Sequence, residues 1–312
     1  YDLVLTGNWV LAESVEAGFL EPLDKYIQAD PTFDFKIWYP EFMEALKYKG
    51  KIWGLPMESF GGGLTYRKDL FEQYGVTVPT DMHELWAAAK KLTLDVNGDG
   101  TIDIYGCVSR AKAGEEPTII STGFAWAYGG TWFEGGAASA PEIRAAKAKP
   151  AVNSPEFMAG YKMFADLLIN FGPPGSSNYT WYERVDAFRA GKTAMTLMPS
   201  VDVGLVDHPD YNLRGKVGAA LPVWGPRGMV QEDFCMSYGI NRDSKKKDAA
   251  WKLLKVVTGE AFIKSLADNY ISALPMIHVV TGDEFRKMHP YKAPDGKYVL
   301  EESIKTIDWR YM

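Results

Sequence analysis

Strand-like and helix-like segments alternate along nearly the whole chain, joined by short links, and this constrains the fold more than any other feature. The opening "YDLVLTG" reads as a strand, and "NWVLAESVEAG" as a short helix stopped at Gly18. "PEFMEALKYKG" reads as helical, and "KIWGLPM" as a strand reached through a Gly-Lys turn. "LTYRKDLFEQYG" runs from a strand into a helix capped by Gly75. "VPTDMHELWAAAKKLT" has helical apolar spacing behind Thr80 as N-cap, and "IYGCVSR" reads as a strand. "SPEFMAGYKMFADLLINFG" predicts a helix with Ser154 as N-cap and Pro155 at its first position. "GKVGAALPVW" and "CMSYGIN" read as strands, and "SKKKDAAWKLLKVVTGEAFIKSLADNY" as two helices broken near Gly259. The predicted class is α/β with mostly parallel sheets. "SFGGG" and "EGGAASAPE" read as loops, and no tandem repeat is found.

One tripeptide invites a different reading. "FRAGKTAMTLMPS" contains Gly-Lys-Thr, the end of a phosphate-binding loop. That loop needs a glycine five residues before Gly191, and Asp186 stands there. The order of elements is also reversed. "WYERVDAFRAG" has Trp181, Val185 and Phe188 at helical spacing, Gly191 sits where a helix stops, and an apolar strand-like run follows. The stretch is a helix, a glycine cap and a strand, not a nucleotide site.

With 312 residues, 46% of them hydrophobic and 24% charged, the chain has the composition of a globular protein of one large or two ordinary domains. The net charge of -6 and the single basic run Lys245-Lys246-Lys247 give no nucleic-acid footprint. No apolar stretch is long enough to span a bilayer. Cys107 and Cys235 are far apart in sequence, and spacing alone does not decide whether they pair. The chain opens inside a strand pattern with no signal peptide, so residues are expected before Tyr1; the end "IDWRYM" reads as cut short as well.

Aromatic residues make up 13% of the chain, and Trp9, Trp53, Trp126, Trp181 and Trp224 stand beside glycine, proline or asparagine or at element breaks. Flat rings at such places pack cores or floor a cleft for sugars, which offer C–H faces to rings and hydroxyls to polar neighbours. His83, His208, His278 and His289 are isolated, with no metal or triad spacing. A glycosidase needs only two carboxylates, and Glu58 and Glu183, both near aromatics, are the pair to test; each is equally a plain acceptor or a surface acid.

"DVNGDGTID" places oxygen donors at alternating positions: Asp95, Asn97, Asp99, the Thr101 carbonyl and Asp103, with Gly100 at the turn. This matches the first nine positions of an EF-hand loop, and it predicts a structural Ca²⁺. Position twelve, where the loop needs a bidentate glutamate, is Gly106. The competing account is an Asp/Asn/Gly turn.

Five stretches in order, "EAGFLEPLDKYI", "YKGKIWGLPM", "LTYRKDLFEQYGVTVPTDMHELWAAAKKLT", "AFRAGKTAMTLM" and "GINRDSKKKDAAWKLLKVVT", resemble the extracellular solute-binding proteins of bacterial ABC importers. The likeness is to their carbohydrate-binding, maltose-binding-protein-like group, and it runs from Tyr1 to about Pro275. It implies a two-lobed periplasmic-binding-protein fold of type II. Each lobe would be a mostly parallel sheet flanked by helices, with the ligand between lobes that close by hinge motion. Lobe one would hold residues 1–105 and 236–276, without the family's N-terminal strand and helix. Lobe two would hold 106–235 and 277–312, without its C-terminal helices.

Carried over by motif, ligand contacts would be Asn8, Trp9, Glu58, Ser59, Phe60, Trp126, Tyr128, Trp181, Tyr182, Glu183, Asp202 and Trp224. The family often has a tryptophan beside the position of Asp202, where this chain has Val201. The resemblance implies a binding protein rather than an enzyme, with no cofactor for activity. It would carry a sugar or oligosaccharide to a membrane permease, periplasmic or lipid-anchored outside the cell, as a monomer. A glycoside hydrolase, or the same fold with a polyol or amine ligand, are the alternatives. The aromatic and acidic contacts disfavour anions.

Overall fold

The computed structural model describes residues 1–60, 62–136, 147–197, 201–223, 225–228, 234–269, 271, 274–293 and 295–305. The strands among them are β1 (Leu3–Gly7), β2 (Leu20–Glu21), β3 (Lys47–Tyr48), β4 (Lys51–Ile52), β5 (Leu55–Phe60), β6 (Leu64–Arg67), β7 (Met195–Leu197), β8 (Val217–Ala220) and β9 (Phe234–Asn241). The chain divides into two compact units, residues 1–60 with 233–290, and residues 61–232 with 291–311.

In the first unit β9 organises the sheet. β1 runs antiparallel along one edge, from Leu3 opposite Ile240 to Gly7 opposite Met236. β5 and β2 pair with the other edge, so Tyr238 has Leu5 on one side and Leu55 on the other. The helix Lys247–Val257 follows β9 and buries Ala250, Trp251 and Leu254, a stripe at helical spacing, while Leu253 and Val256 stay exposed. Trp251 stacks on Tyr26 at 5.8 Å, and its indole N–H donates to Asp30 at 3.2 Å. Leu20, Leu23, Leu46, Leu55 and Ile240 are almost wholly buried, each contributing about 1.5–3 kcal/mol by removing its side chain from water. Gly259 begins the next helix, Glu260–Asp268, at the expected break.

In the second unit β6 lies between β7 and β8, with Thr65 opposite both Thr196 and Ala219. Leu64, Phe71, Leu85, Phe124, Phe164, Leu167 and Met195 form its core. The helix Pro155–Phe171 starts as the sequence predicts: the Ser154 hydroxyl accepts from the Phe157 N–H at 3.3 Å, and Pro155 stands first. Gly191, at φ +73°, ends the helix Trp181–Arg189 and leads into β7, which settles the Gly-Lys-Thr stretch as a helix-to-strand join. The helix Met82–Lys91 starts one residue later than predicted. Asp81, not Thr80, is the N-cap, because its short carboxylate reaches the N–H groups of His83 and Glu84 at 2.8 Å each. Thr80 instead donates its N–H and hydroxyl to Glu84.

Two expectations need correction. Every strand ladder among the described residues is antiparallel, not parallel. β1 and β5 do share a direction, as do β7 and β8, but in each unit one opposed strand, β9 or β6, enters between them and takes their hydrogen bonds. Among the described residues parallel contact is confined to the bridges Tyr105–Thr193 and Val108–Thr196; with the antiparallel bridge Ile104–Leu94 these are the strand pairing that "IYGCVSR" makes. The unit boundary also lies elsewhere. Residues 61–105 join the second unit because β6 pairs with β7 and β8 and Met82–Lys91 packs on Pro155–Phe171. Residues 277–290 join the first because their two short helices pack on Glu260–Asp268.

Candidate functional site

In the first unit the sequence candidates converge at one end of the sheet. β1 and β5 both finish beside the start of β9: Gly7 and Glu58 are each opposite Met236, Ser59 is opposite Cys235, and Phe60 opposite Phe234. These are the carboxyl ends of two like-directed strands, the usual location of ligands in open α/β sheets. Asn8 and Trp9 open the helix that leaves β1. The Asn8 side-chain oxygen accepts from the Cys235 N–H at 3.0 Å, which ties the helix start to β9. The Trp9 ring folds back over Gly7, where a Cβ would stand 2.0 Å from it, and remains 42% exposed. A β-bulge between Pro56 and Glu58 turns the strand just before the carboxylate.

Glu58 is half-buried, and burial pushes its pKa up. No cation or hydrogen-bond donor reaches it among the described residues. A half-buried carboxylate can accept hydroxyl hydrogens from a ligand, and an exposed flat ring can stack on one; here the two share one end of the sheet. Ser59 is buried, and the Phe60 side chain lies outside the described residues.

In the second unit the candidates fall into separate places. Trp126 and Tyr128 end the helix Glu115–Ala127. Trp126 is only 6% exposed and packs inside the unit, so it offers no open platform, whereas Tyr128 is half-buried with its pKa raised by that burial. Trp181 and Tyr182 open the helix Trp181–Arg189 as an edge-to-face pair at 5.1 Å, with Tyr182 71% exposed. Glu183 is a cap. Its carboxylate accepts from the Thr180 N–H at 2.8 Å and from the Thr180 hydroxyl, which lowers its pKa. Capping the helix is the role the structure shows for it. Asp202 is second in the short helix Val201–Val206, its side chain outside the described residues, as is Trp224.

Two further side chains escaped the sequence reading. Arg184 is fully buried, donating to the Thr196 hydroxyl at 2.7 Å. Its position on the apolar face of the Trp181–Arg189 helix was the available signal. Arg227 stands on the turn Gly225–Gly228, signalled by the paired glycines of "WGPRG".

The oxygen donors expected to hold calcium are spent on their own loop. Asp95 accepts from the N–H groups of Gly98, Asp99 and Gly100, Asn97 from that of Asp99, Asp99 from that of Thr101, and Asp103 from that of Val96. Among the described residues no group of three or more His, Cys, Asp or Glu side chains is arranged to hold a metal. Ca²⁺ takes six to eight oxygens. Gly106 supplies none at the position where the loop would place a bidentate glutamate, and the hydrogen bonds within residues 95–103 make an Asp/Asn/Gly turn. Cys107 and Cys235 are buried free thiols, and burial pushes the Cys107 pKa up to about 12, leaving it unreactive.

The chain has known relatives. A mannitol-binding protein of Pseudomonas aeruginosa is 28% identical over 99% of this chain, which spans 67% of that protein's length. The crystal structure of an ABC transporter solute-binding protein from Agrobacterium vitis with bound D-mannitol matches 99% of the chain and 71% of its own, with a TM-score of 0.79 and 27% identity. One from Agrobacterium radiobacter in complex with ribitol matches 100% and 74%, with a TM-score of 0.82 and 25% identity. The chain shares the periplasmic-binding-protein fold of these structures, as its sequence predicts. The family profile described as bacterial extracellular solute-binding protein matches residues 1–262. The chain therefore belongs to the bacterial extracellular solute-binding proteins, which bind their substrates rather than transform them.

Proposed function

We propose that this protein captures a neutral polyhydroxylated solute, a polyol or short sugar, outside the cytoplasmic membrane and hands it to the permease of an ABC importer. The observation that carries the reading is the placement of Trp9 and Glu58 at one end of the first unit's sheet: a part-exposed flat ring and, across β9, a carboxylate with no protein partner among the described residues. A polyol stands ahead of the oligosaccharide expected from the sequence, because mannitol and ribitol are the ligands of the relatives described above. Each hydroxyl bonded to a charged group contributes about 1.5–3 kcal/mol net. A few such bonds with one stacking contact reach a micromolar Kd, about −8 kcal/mol. Transport requires no oligomer, and the protein acts as a monomer.

A thermal-shift panel of hexitols, pentitols, mono- and oligosaccharides and cationic osmolytes tests this. A ligand at a hundred times its Kd adds about 2.7 kcal/mol, a rise of several degrees. A shift with one polyol or sugar class is expected. A shift with a cationic osmolyte alone would mean that Trp9 and Glu58 form an amine box.

A further inference from the structure

Arg227 is held at two points and spends none of its side-chain donors on the described residues. The turn that carries it is closed by Gly225 donating to the Gly228 carbonyl at 3.0 Å and Gly228 donating to the Gly225 carbonyl at 3.1 Å. It sits against the end of the helix Glu115–Ala127, with the Arg227 N–H donating to the Ala127 carbonyl at 2.8 Å. A Cβ at Gly225 would come within 2.5 Å of that carbonyl oxygen, so a glycine is what lets the turn approach. The stem of Arg227 then lies on the bare backbone of Gly129. A Cβ there would stand 2.9 Å from Cγ and 3.4 Å from Nε, and φ at Gly129 is +92°, which L side chains rarely adopt. Arg227 thus straddles Tyr128, gripping the residue before it and lying on the residue after it. Its side chain is exposed, with no carboxylate or acceptor among the described residues.

A guanidinium fixed by main chain and stem loses little freedom on binding, and its planar fork of N–H groups fits two neighbouring oxygens. We propose that Arg227 is a specificity-determining contact, donating to two adjacent hydroxyls of a neutral polyol beside Tyr128. This rests on the solute-binding reading above and on Tyr128 belonging to the site. It also explains a pair of glycines, Gly129 and Gly225, in two distant stretches of sequence: both make room for one arginine.

Isothermal titration with D-mannitol, ribitol and maltose on the wild type, Arg227→Ala, Arg227→Lys and Gly129→Ala tests it. Arg227→Ala is expected to keep the wild-type Tm, since the side chain is exposed, and to weaken polyol binding on the order of tenfold. Arg227→Lys keeps the charge without the fork and recovers only part of that loss. Gly129→Ala displaces the stem and weakens binding in the same direction. Wild-type binding with Arg227→Ala within twofold of it overturns this inference and leaves the proposed function standing. Full recovery in Arg227→Lys overturns the adjacent-hydroxyl assignment, because charge alone would then suffice. A wild type that binds none of the three ligands overturns the proposed function itself.

Discussion

Gly7 and Glu58 lie opposite the same residue, Met236, one on each edge of β9. The pairing brings Trp9, two residues past Gly7, to the same end of the sheet as the Glu58 carboxylate. Fifty residues of chain, 8–57, separate Gly7 from Glu58, and one strand's register joins them.

Glu58→Gln is expected to raise stability and lower affinity together. Burial raises the folded-state pKa of Glu58 above its unfolded value, so the fold favours the protonated form. The stabilising contribution is full below the unfolded pKa and is lost as pH rises through the folded one. At pH 7 the wild type therefore carries a half-buried charge with no partner among the described residues, and the glutamine variant gains on the order of 1 kcal/mol. Thermal melts from pH 4 to 8 should show the gain shrinking toward acid pH. A variant less stable than wild type at pH 7 would mean that the carboxylate has a partner in the folded protein.

Trp9→Ala is expected to weaken polyol or sugar binding about tenfold, the loss of one aromatic stacking contact. The ring is 42% exposed, so the melting temperature should fall by far less than for a core tryptophan. Titration calorimetry beside a melting curve separates the two effects. Unchanged affinity would make Trp9 a lid over Gly7 and nothing more.

Thr180→Ala is expected to cost about 1 kcal/mol, the usual value of an N-cap, with ligand affinity unchanged. Glu183→Gln should act in the same direction and with a pH signature. Its folded pKa is lowered, so its contribution is present above the unfolded pKa and disappears as pH falls through the folded one. Chemical denaturation at pH 7 and pH 3 reads both. A loss of affinity in Glu183→Gln would return Glu183 to the binding site.

Asp95→Ala removes the acceptor for three backbone N–H groups and is expected to cost on the order of 1 kcal/mol. The cost should be the same in EDTA as in millimolar calcium. A wild-type melting temperature that rises in calcium, with the rise absent in Asp95→Ala, would show that the loop holds an ion and not only its own amides.

Tyr291→Phe tests the attachment of the late segment to the second unit. The Tyr291 hydroxyl donates to Asp207 at 2.6 Å, and the other Asp207 oxygen accepts from the Gly215 N–H at 2.6 Å. Asp207 and Tyr291 are both buried, so the variant leaves a carboxylate oxygen short of a donor at a cost of about 1–3 kcal/mol. Polyol binding should be unaffected.

Local signals were legible in the sequence wherever one residue's geometry decides the outcome. Ser154 and Pro155 begin a helix, Gly191 ends one, and Gly259 divides two, because caps and left-handed glycines act within a few residues. The convergence of Asn8, Trp9 and Glu58 at one end of the first unit's sheet is only partly a local matter: Asn8 and Trp9 follow the end of β1, whereas Glu58 lies within β5 and reaches that end through its pairing with β9. What failed depends on partners distant in sequence. Nothing in "LTYR" says that it pairs with residues 195–197 and 217–220, so residues 61–105 were placed with the wrong unit and the sheets were expected to be parallel. Nothing local to "AWAYGG" says how deeply Trp126 is buried, which depends on the rest of the packed chain. The capping role of Glu183 is legible in the sequence, since Thr180 and Glu183 carry the capping-box spacing.

The bulge in β5 sets more than a local bend. Leu55 shares a face with Tyr238 and Glu58 with Met236, two positions on the same side of β9, although an odd number of steps along β5 separates them. If Met57 were drawn into straight pairing, Glu58 would come opposite Cys235, on the face where that thiol is fully buried, and every side chain to Phe60 would turn over with it. The side of the sheet that Glu58 faces is thus encoded partly as a count of residues. A change of spacing here, with every chemical group retained, would turn the carboxylate over at the end of the sheet that Trp9 shares.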